Sequence, residues 1–143
     1  MRDNTGAAFG VTVNSFVSVS LEPPLILWCL RRKASIHEVF QNNDLFAVNI
    51  LNGEGEELSN RYAASGRIHL DKAGFTLSRR GIALMTPMLA NLECQILRRD
   101  DGGDHTIILA RVLDIHGGPG KDPLIFYEGG YRQLENSMSR EIA

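Results

Sequence analysis

Three short stretches carry residue types suited to chemistry. From Phe9 to Leu21 the chain alternates, with Phe9, Val11, Val13, Val17, Val19 and Leu21 on one parity and Thr12, Asn14, Ser18 and Ser20 on the other. A period of two sends these sets to opposite faces of a strand, or of two short strands in series, one face buried and one open. The polar set is hydroxyls and an amide, with no Lys or Glu before Glu22. Short donors and acceptors suit a flat polar ligand lying against the backbone, and they equally furnish an ordinary open strand face. The second stretch is Arg31-Arg32-Lys33, just ahead of Ser35 and Glu38, which have the S-x-x-E spacing of a capping box. Cations beside a helix N-terminus make a phosphate site; cations after a strand also form solvated loops. The third is Gly103-Asp104-His105-Thr106, where an imidazole at a strand start is either a satisfied turn residue or a group aimed at a substrate.

The elements that must position these residues are mostly strands. Glu22-Pro23-Pro24 is an extended corner, since proline removes a ladder donor and restricts its neighbour. Behind it Leu25–Leu30 is a short unbroken apolar run, the pattern of a strand buried on both faces. Ile36, Val39 and Phe40 predict the apolar face of a helix after Ser35. Leu45–Leu51 alternates as a strand. Residues 54–65 read as a helix, with Leu58 and Tyr62 at i, i+4 and Gly66 as its stop. Residues 67–85 show little pattern. Thr86–Leu97 holds a strand in which Leu92, Cys94 and Ile96 face opposite Glu93 and Gln95. Arg98–Asp104 is a polar hairpin turn whose return strand starts at Asp104. His116–Gly120 reads as a loop, Pro123–Tyr127 as a short last strand, residues 1–8 as a turn, and the polar tail from Glu135 as frayed.

With 143 residues, 43% hydrophobic and 22% charged, the chain is a single globular domain over 1–143 with room for a real core. A net charge of −2 and a pI near 6.1 argue against nucleic-acid or anionic-membrane partners. No apolar run approaches the ~20 residues of a membrane span, and no secretory pattern opens the chain. Cys29 and Cys94 lie inside apolar strand patterns, as buried thiols of a reducing cytoplasm do. His37, His69, His105 and His116 lack i, i+4 pairing and neither cysteine has a C-x-x-C partner, so no metal site is predicted. No nucleotide-binding glycine motif follows a strand, so a nucleotide would not bind here in the Rossmann manner.

V-x-V-N-S-F-x-S-V-S-L-x-P-P-L-I-L-W, running without a gap from Val11 to Trp28, closely resembles the flavin reductase-like family. G-D-H-T-I at 103–107 is a second match, L-x-x-R-Y-A-x-x-G at 58–66 a third, and Gly129-Gly130-Tyr131-Arg132 echoes the family's closing pattern. The resemblance implies a mainly antiparallel split β-barrel, a homodimer, and an NAD(P)H-dependent flavin reductase using FMN ahead of FAD, with NADH or NADPH as hydride donor. It further implies delivery of reduced flavin to a partner monooxygenase. Asn14, Ser15, Phe16, Ser18 and Ser20 are then the flavin-ring and ribityl residues. Arg32, Lys33 and Ser35 surround the flavin phosphate, and His105 is the catalytic residue on the nicotinamide side. Relatives usually have a helix and a strand ahead of residues 1–8, so either these elements are absent here or residue 1 lies inside a longer natural chain. Lys33-Ala34 stand where many relatives have small hydroxyl residues. Two other readings stand beside this one. A flavin-storing barrel without turnover shares all these features, while a pyridoxamine-phosphate-type oxidase shares the barrel but not the N-S-F-x-S-V-S and G-D-H-T pair.

Overall fold

The alternating segment divides into two short strands, because residues 11–16 leave the β ladder. Strand β1 is Phe9–Gly10 and β2 is Val17–Leu21. The computed structural model describes residues 1–120 and 122–134, so the polar tail from Glu135 lies outside the described residues. Beyond β2 come β3 (Pro24–Arg31), α1 (His37–Asn42), β4 (Leu45–Ile50), α2 (Glu56–Ala63), β5 (Ile68–His69), β6 (Phe75–Leu77), β7 (Ala83–Met85), β8 (Ala90–Gly102), β9 (His105–Gly117), β10 (Ile125–Tyr127) and β11 (Gly130–Arg132). A five-stranded antiparallel sheet, ordered β2-β3-β9-β8-β4, is the frame. Three two-stranded ribbons, β1-β5, β6-β7 and β10-β11, flank it.

Several local expectations shift for physical reasons. The proline corner is a tight β2–β3 hairpin with Leu21 opposite Pro24. In β3, Ile26, Trp28 and Leu30 are buried while Leu25, Leu27 and Cys29 are only half covered, so one face rather than both is in the core. Val17, Val19 and Leu21, expected in the core, are 54%, 50% and 91% exposed. They belong to an edge strand whose apolar side is covered by no layer among the described residues. Ser35 and Glu38 form no capping box: α1 starts after Ile36 with no side-chain cap. The Ser35 carbonyl instead accepts from Arg67 Nε at 2.7 Å, and the Glu38 carboxylate pairs with the same guanidinium. His116 lies in β9 rather than a loop, and β10 is followed by a further strand.

The main core lies on the sheet face covered by α1. Trp28 and Phe40 meet edge-on at 4.9 Å, and Phe46 closes the triangle at 5.8 and 5.9 Å, contacts worth ~0.5–1.5 kcal/mol each beyond the area they bury. The Trp28 indole N–H is buried there with no acceptor among the described residues. A smaller core joins Tyr62, Leu70, Met85 and Met88. In it the Tyr62 ring lies so close to Gly10 that a Cβ there would stand 2.9 Å from the ring. Only glycine permits that approach. The contact, with Thr12 Oγ1 donating to the Ser59 carbonyl at 2.7 Å, ties the start of the 11–16 segment to α2.

Candidate functional site

Segment 11–16 is held at its far end by one side chain. The Ser15 hydroxyl accepts from Cys29 N–H at 2.9 Å and donates to Cys29 O at 3.3 Å. A hydroxyl can do both at once, and the result docks the segment on β3 two residues before Arg31. Asn14 and Phe16 on either side are exposed. From there Ser18 and Ser20 run along β2, opposite Ile26 and Leu25. Ser18 is thus roughly 17 Å of strand away from the Arg31 end, at ~3.4 Å per residue. Ser18 is exposed and Ser20 half-buried, and neither side chain has a hydrogen-bond partner among the described residues.

Arg31 stands opposite His105 across the β3–β9 ladder. The turn 31–36 therefore sits beside the β8–β9 turn, and the second and third stretches singled out in the sequence are neighbours in space. The β8–β9 loop has only two residues, Gly103 and Asp104, between the paired Gly102 and His105. Gly103 alone of the two has positive φ, +75°, the arrangement of a type II′ turn. At its exit His105 Nδ1 and Asp104 Oδ1 are 2.7 Å apart. That hydrogen bond first, and the imidazole's charge second, hold the Asp104 carboxyl below its ordinary value. The His105 ring is half-buried, its aspartate almost fully exposed. The next residue, Thr106, is buried and its Oγ1 lies 2.8 Å from Nε2 of His37 at the start of α1.

The cations of the turn differ in what they hold. Arg32 donates from Nε to Gly103 O at 2.9 Å and pairs with Asp101 Oδ1 at 3.2 Å. Arg31, Lys33 and Ser35 are exposed, and no hydrogen bond or ion pair holds their side chains among the described residues. Since α1 is six residues long and begins at His37, any anion here would meet side chains and turn amides rather than a strong helix dipole. The donor set fits a flavin nucleotide. Exposed short hydroxyls and an amide suit a polar ring system and polyol, and free cations at the end of the row suit a phosphate.

A family model for the flavin reductase like domain matches residues 2–135. The chain belongs to the flavin reductase-like family. It is 38% identical over 122 residues to an FMN reductase (NADH), SmoA, of Agrobacterium fabrum, a match covering 85% of this chain and 69% of that one. It is 30% identical to the reductase subunit HsaB of a flavin-dependent monooxygenase of Rhodococcus jostii, over 91% of this chain and 67% of the other. Among solved structures, the NADH:FAD oxidoreductase SgcE6 of Streptomyces globisporus, in complex with NAD and FAD fragments, superposes with a TM-score of 0.82 at 30% identity, covering 93% and 84% of the two chains. The fold is accordingly the split barrel of flavin reductases.

Sequence reasoning missed one ionic cluster well away from this end of the sheet. Glu93, expected on the open face of β8, is 2% exposed. His116 Nε2 lies 2.8 Å from its Oε1, and Ser78 Oγ and Arg80 donate to its Oε2 at 3.0 and 3.2 Å. Asp114 stands 3.6 Å from Arg80, and the ligand-type atoms of Glu93, Asp114 and His116 lie within 4.8 Å of one another. Arg80 supplies the positive charge between the two carboxylates. The register that pairs Glu93 with Asp114 and Asn91 with His116 follows from the Gly103–Asp104 turn, which a turn expected over Arg98–Asp104 and a loop expected at His116 hid. Ser78 and Arg80 arrive from a segment with little pattern.

Proposed function

We propose that this chain is an NAD(P)H-dependent flavin reductase that passes a hydride from NADH or NADPH to FMN, with FAD as the second choice. The observation that carries the reading is the convergence of the 31–36 turn and the Asp104–His105 turn at one end of β3–β9, with the hydroxyl row of β2 leading away from it. When bound, the flavin supplies the hydride acceptor, and the protein's part is to hold donor and acceptor at about 3–3.5 Å. Asn14, Ser18 and Ser20 offer hydrogen bonds to the ring and ribityl chain, Phe16 an apolar flank, and Ser15 keeps the segment docked on β3. Lys33, Ser35 and the neighbouring Arg31 form the phosphate end, while the Arg32 guanidinium is engaged with the β8–β9 turn. His105, oriented by Asp104, faces the nicotinamide.

The same reading includes a homodimer and a flavin-dependent monooxygenase as recipient of the reduced flavin. The exposed apolar edge of β2, and Phe126 and Tyr127 of β10, are surfaces a second copy would cover. The cytoplasm is the matching compartment, with Cys29 and Cys94 both free thiols. Among the described residues no helix is long and apolar enough to cross a membrane. The test is oxidation of NADH and of NADPH by purified protein with excess FMN or FAD. Turnover that saturates in flavin is expected. Tight flavin binding with no turnover on either nicotinamide would replace the reductase with a flavin store.

A further inference from the structure

We propose that Arg32 is the positioning residue of His105: its guanidinium clamps the β8–β9 turn so that the imidazole stays aimed at the nicotinamide. This rests on the assignment of His105 made above and goes beyond it. The tip of the β8–β9 hairpin is open to solvent, with the Asp101 and Asp104 side chains 81% and 89% exposed. A two-residue turn in such a place has little packing to hold it. Arg32 provides what packing does not. Its backbone N–H donates to Asp104 O at 2.9 Å, its Nε donates to Gly103 O at 2.9 Å, and its Nη2 pairs with Asp101 at 3.2 Å. Asp101 Oδ1 in turn accepts from Gly103 N–H at 2.8 Å. One residue of the turn that follows β3 thus grips the segment from 101 to 104, immediately before His105. The grip needs a planar fork that reaches a carbonyl and a carboxylate together, which Arg has and Lys lacks.

The consequence for the reaction follows from geometry. Hydride transfer depends on positions held to fractions of an ångström, and a displacement of about 1 Å can cost on the order of 100-fold. The clamp also joins the phosphate turn to the nicotinamide turn through one side chain, with the His37–Thr106 contact beside it.

The test uses Arg32→Ala, Arg32→Lys, Asp101→Ala and His105→Ala, singly, with Arg32→Ala also placed in the His105→Ala background. In the flavin-free full chain, Arg32→Ala should speed amide exchange at Gly103 and shift the His105 ring resonances. At saturating flavin it should lower kcat/KM for NADH about tenfold, leaving the ratio of FMN to riboflavin affinity unchanged. Asp101→Ala, which alters only an exposed side chain, should move the same ring signals in the same direction, and Arg32→Lys should restore only part of the loss. His105→Ala should lower kcat/KM for NADH tenfold to a hundredfold with flavin affinity nearly intact, and adding Arg32→Ala to it should cost little more. Unmoved His105 signals, or a full further loss in the double variant, would overturn the clamp. A selective loss of FMN over riboflavin, with NADH kinetics unchanged, would do so too and make Arg32 a phosphate ligand. If His105→Ala leaves NADH turnover normal while Arg32→Ala still shifts the ring, the clamp stands and the role given to His105 falls.

Discussion

Lys33 separates a phosphate site from a solvated loop at the scale of one side chain. It is exposed and follows a cation already engaged with the neighbouring turn, so its ammonium remains available to a ligand. Lys33→Ala should weaken FMN by about 1.5–3 kcal/mol, the range of charge-assisted hydrogen bonds, and leave riboflavin, which has no phosphate, nearly unchanged. Equal losses measured by fluorescence titration would move the phosphate elsewhere.

The β8–β9 ribbon is the element on which both ends of the molecule depend. At one end it presents His105; at the other it carries the buried Glu93. Burial opposes the Glu93 charge, but the hydrogen bonds from His116, Ser78 and Arg80 together outweigh it and hold the carboxyl below its ordinary range. Glu93→Gln should cost about 1.5–3 kcal/mol at neutral pH, since charged hydrogen bonds are lost in a site closed to water. A carboxyl with a lowered folded pKa stabilises above its unfolded pKa and loses that contribution as pH falls through the folded one. The gap between wild type and variant should therefore narrow in acid. Denaturation in urea at pH 7 and pH 3 measures it, and a gap that widens in acid would contradict the charged state. The same ribbon has two register shifts, at Glu93/Cys94 and at Ile96/Arg98. One extra residue lies on each strand, so the shifts cancel and Glu93 returns to the register counted from the turn.

The unfinished edge belongs to the whole molecule. Strand β2 closes one side of the sheet with Val17, Val19 and Leu21 in water. Such an edge is an aggregation hazard unless something covers it, and a second copy of the chain is the cover proposed. Val19→Asp should turn a dimer into a monomer in sedimentation velocity and lower thermal stability; wild-type protein already monomeric at tens of micromolar would reject the dimer.

Alternation and turn chemistry, which are local, made most strands and α2 readable and placed a hairpin between β8 and β9. Its turn, expected over Arg98–Asp104, is only Gly103–Asp104, because Arg98–Gly102 stay on the ladder. The Val11–Trp28 and Gly103–Ile107 motifs made the family readable. What the chain alone did not determine was which faces found a covering layer. The apolar parity of residues 17–21 promised burial, but burial requires a neighbour, and the edge of the sheet has none among the described residues. Likewise the S-x-x-E spacing promised a cap, yet Arg67 arrives from 29 positions beyond Glu38 and pairs with the carboxylate that would have made it. Only the fold could bring Arg32 onto the Gly103–Asp104 turn or Arg80 onto Glu93, because ion pairs depend on distance in space and leave no periodic trace in sequence.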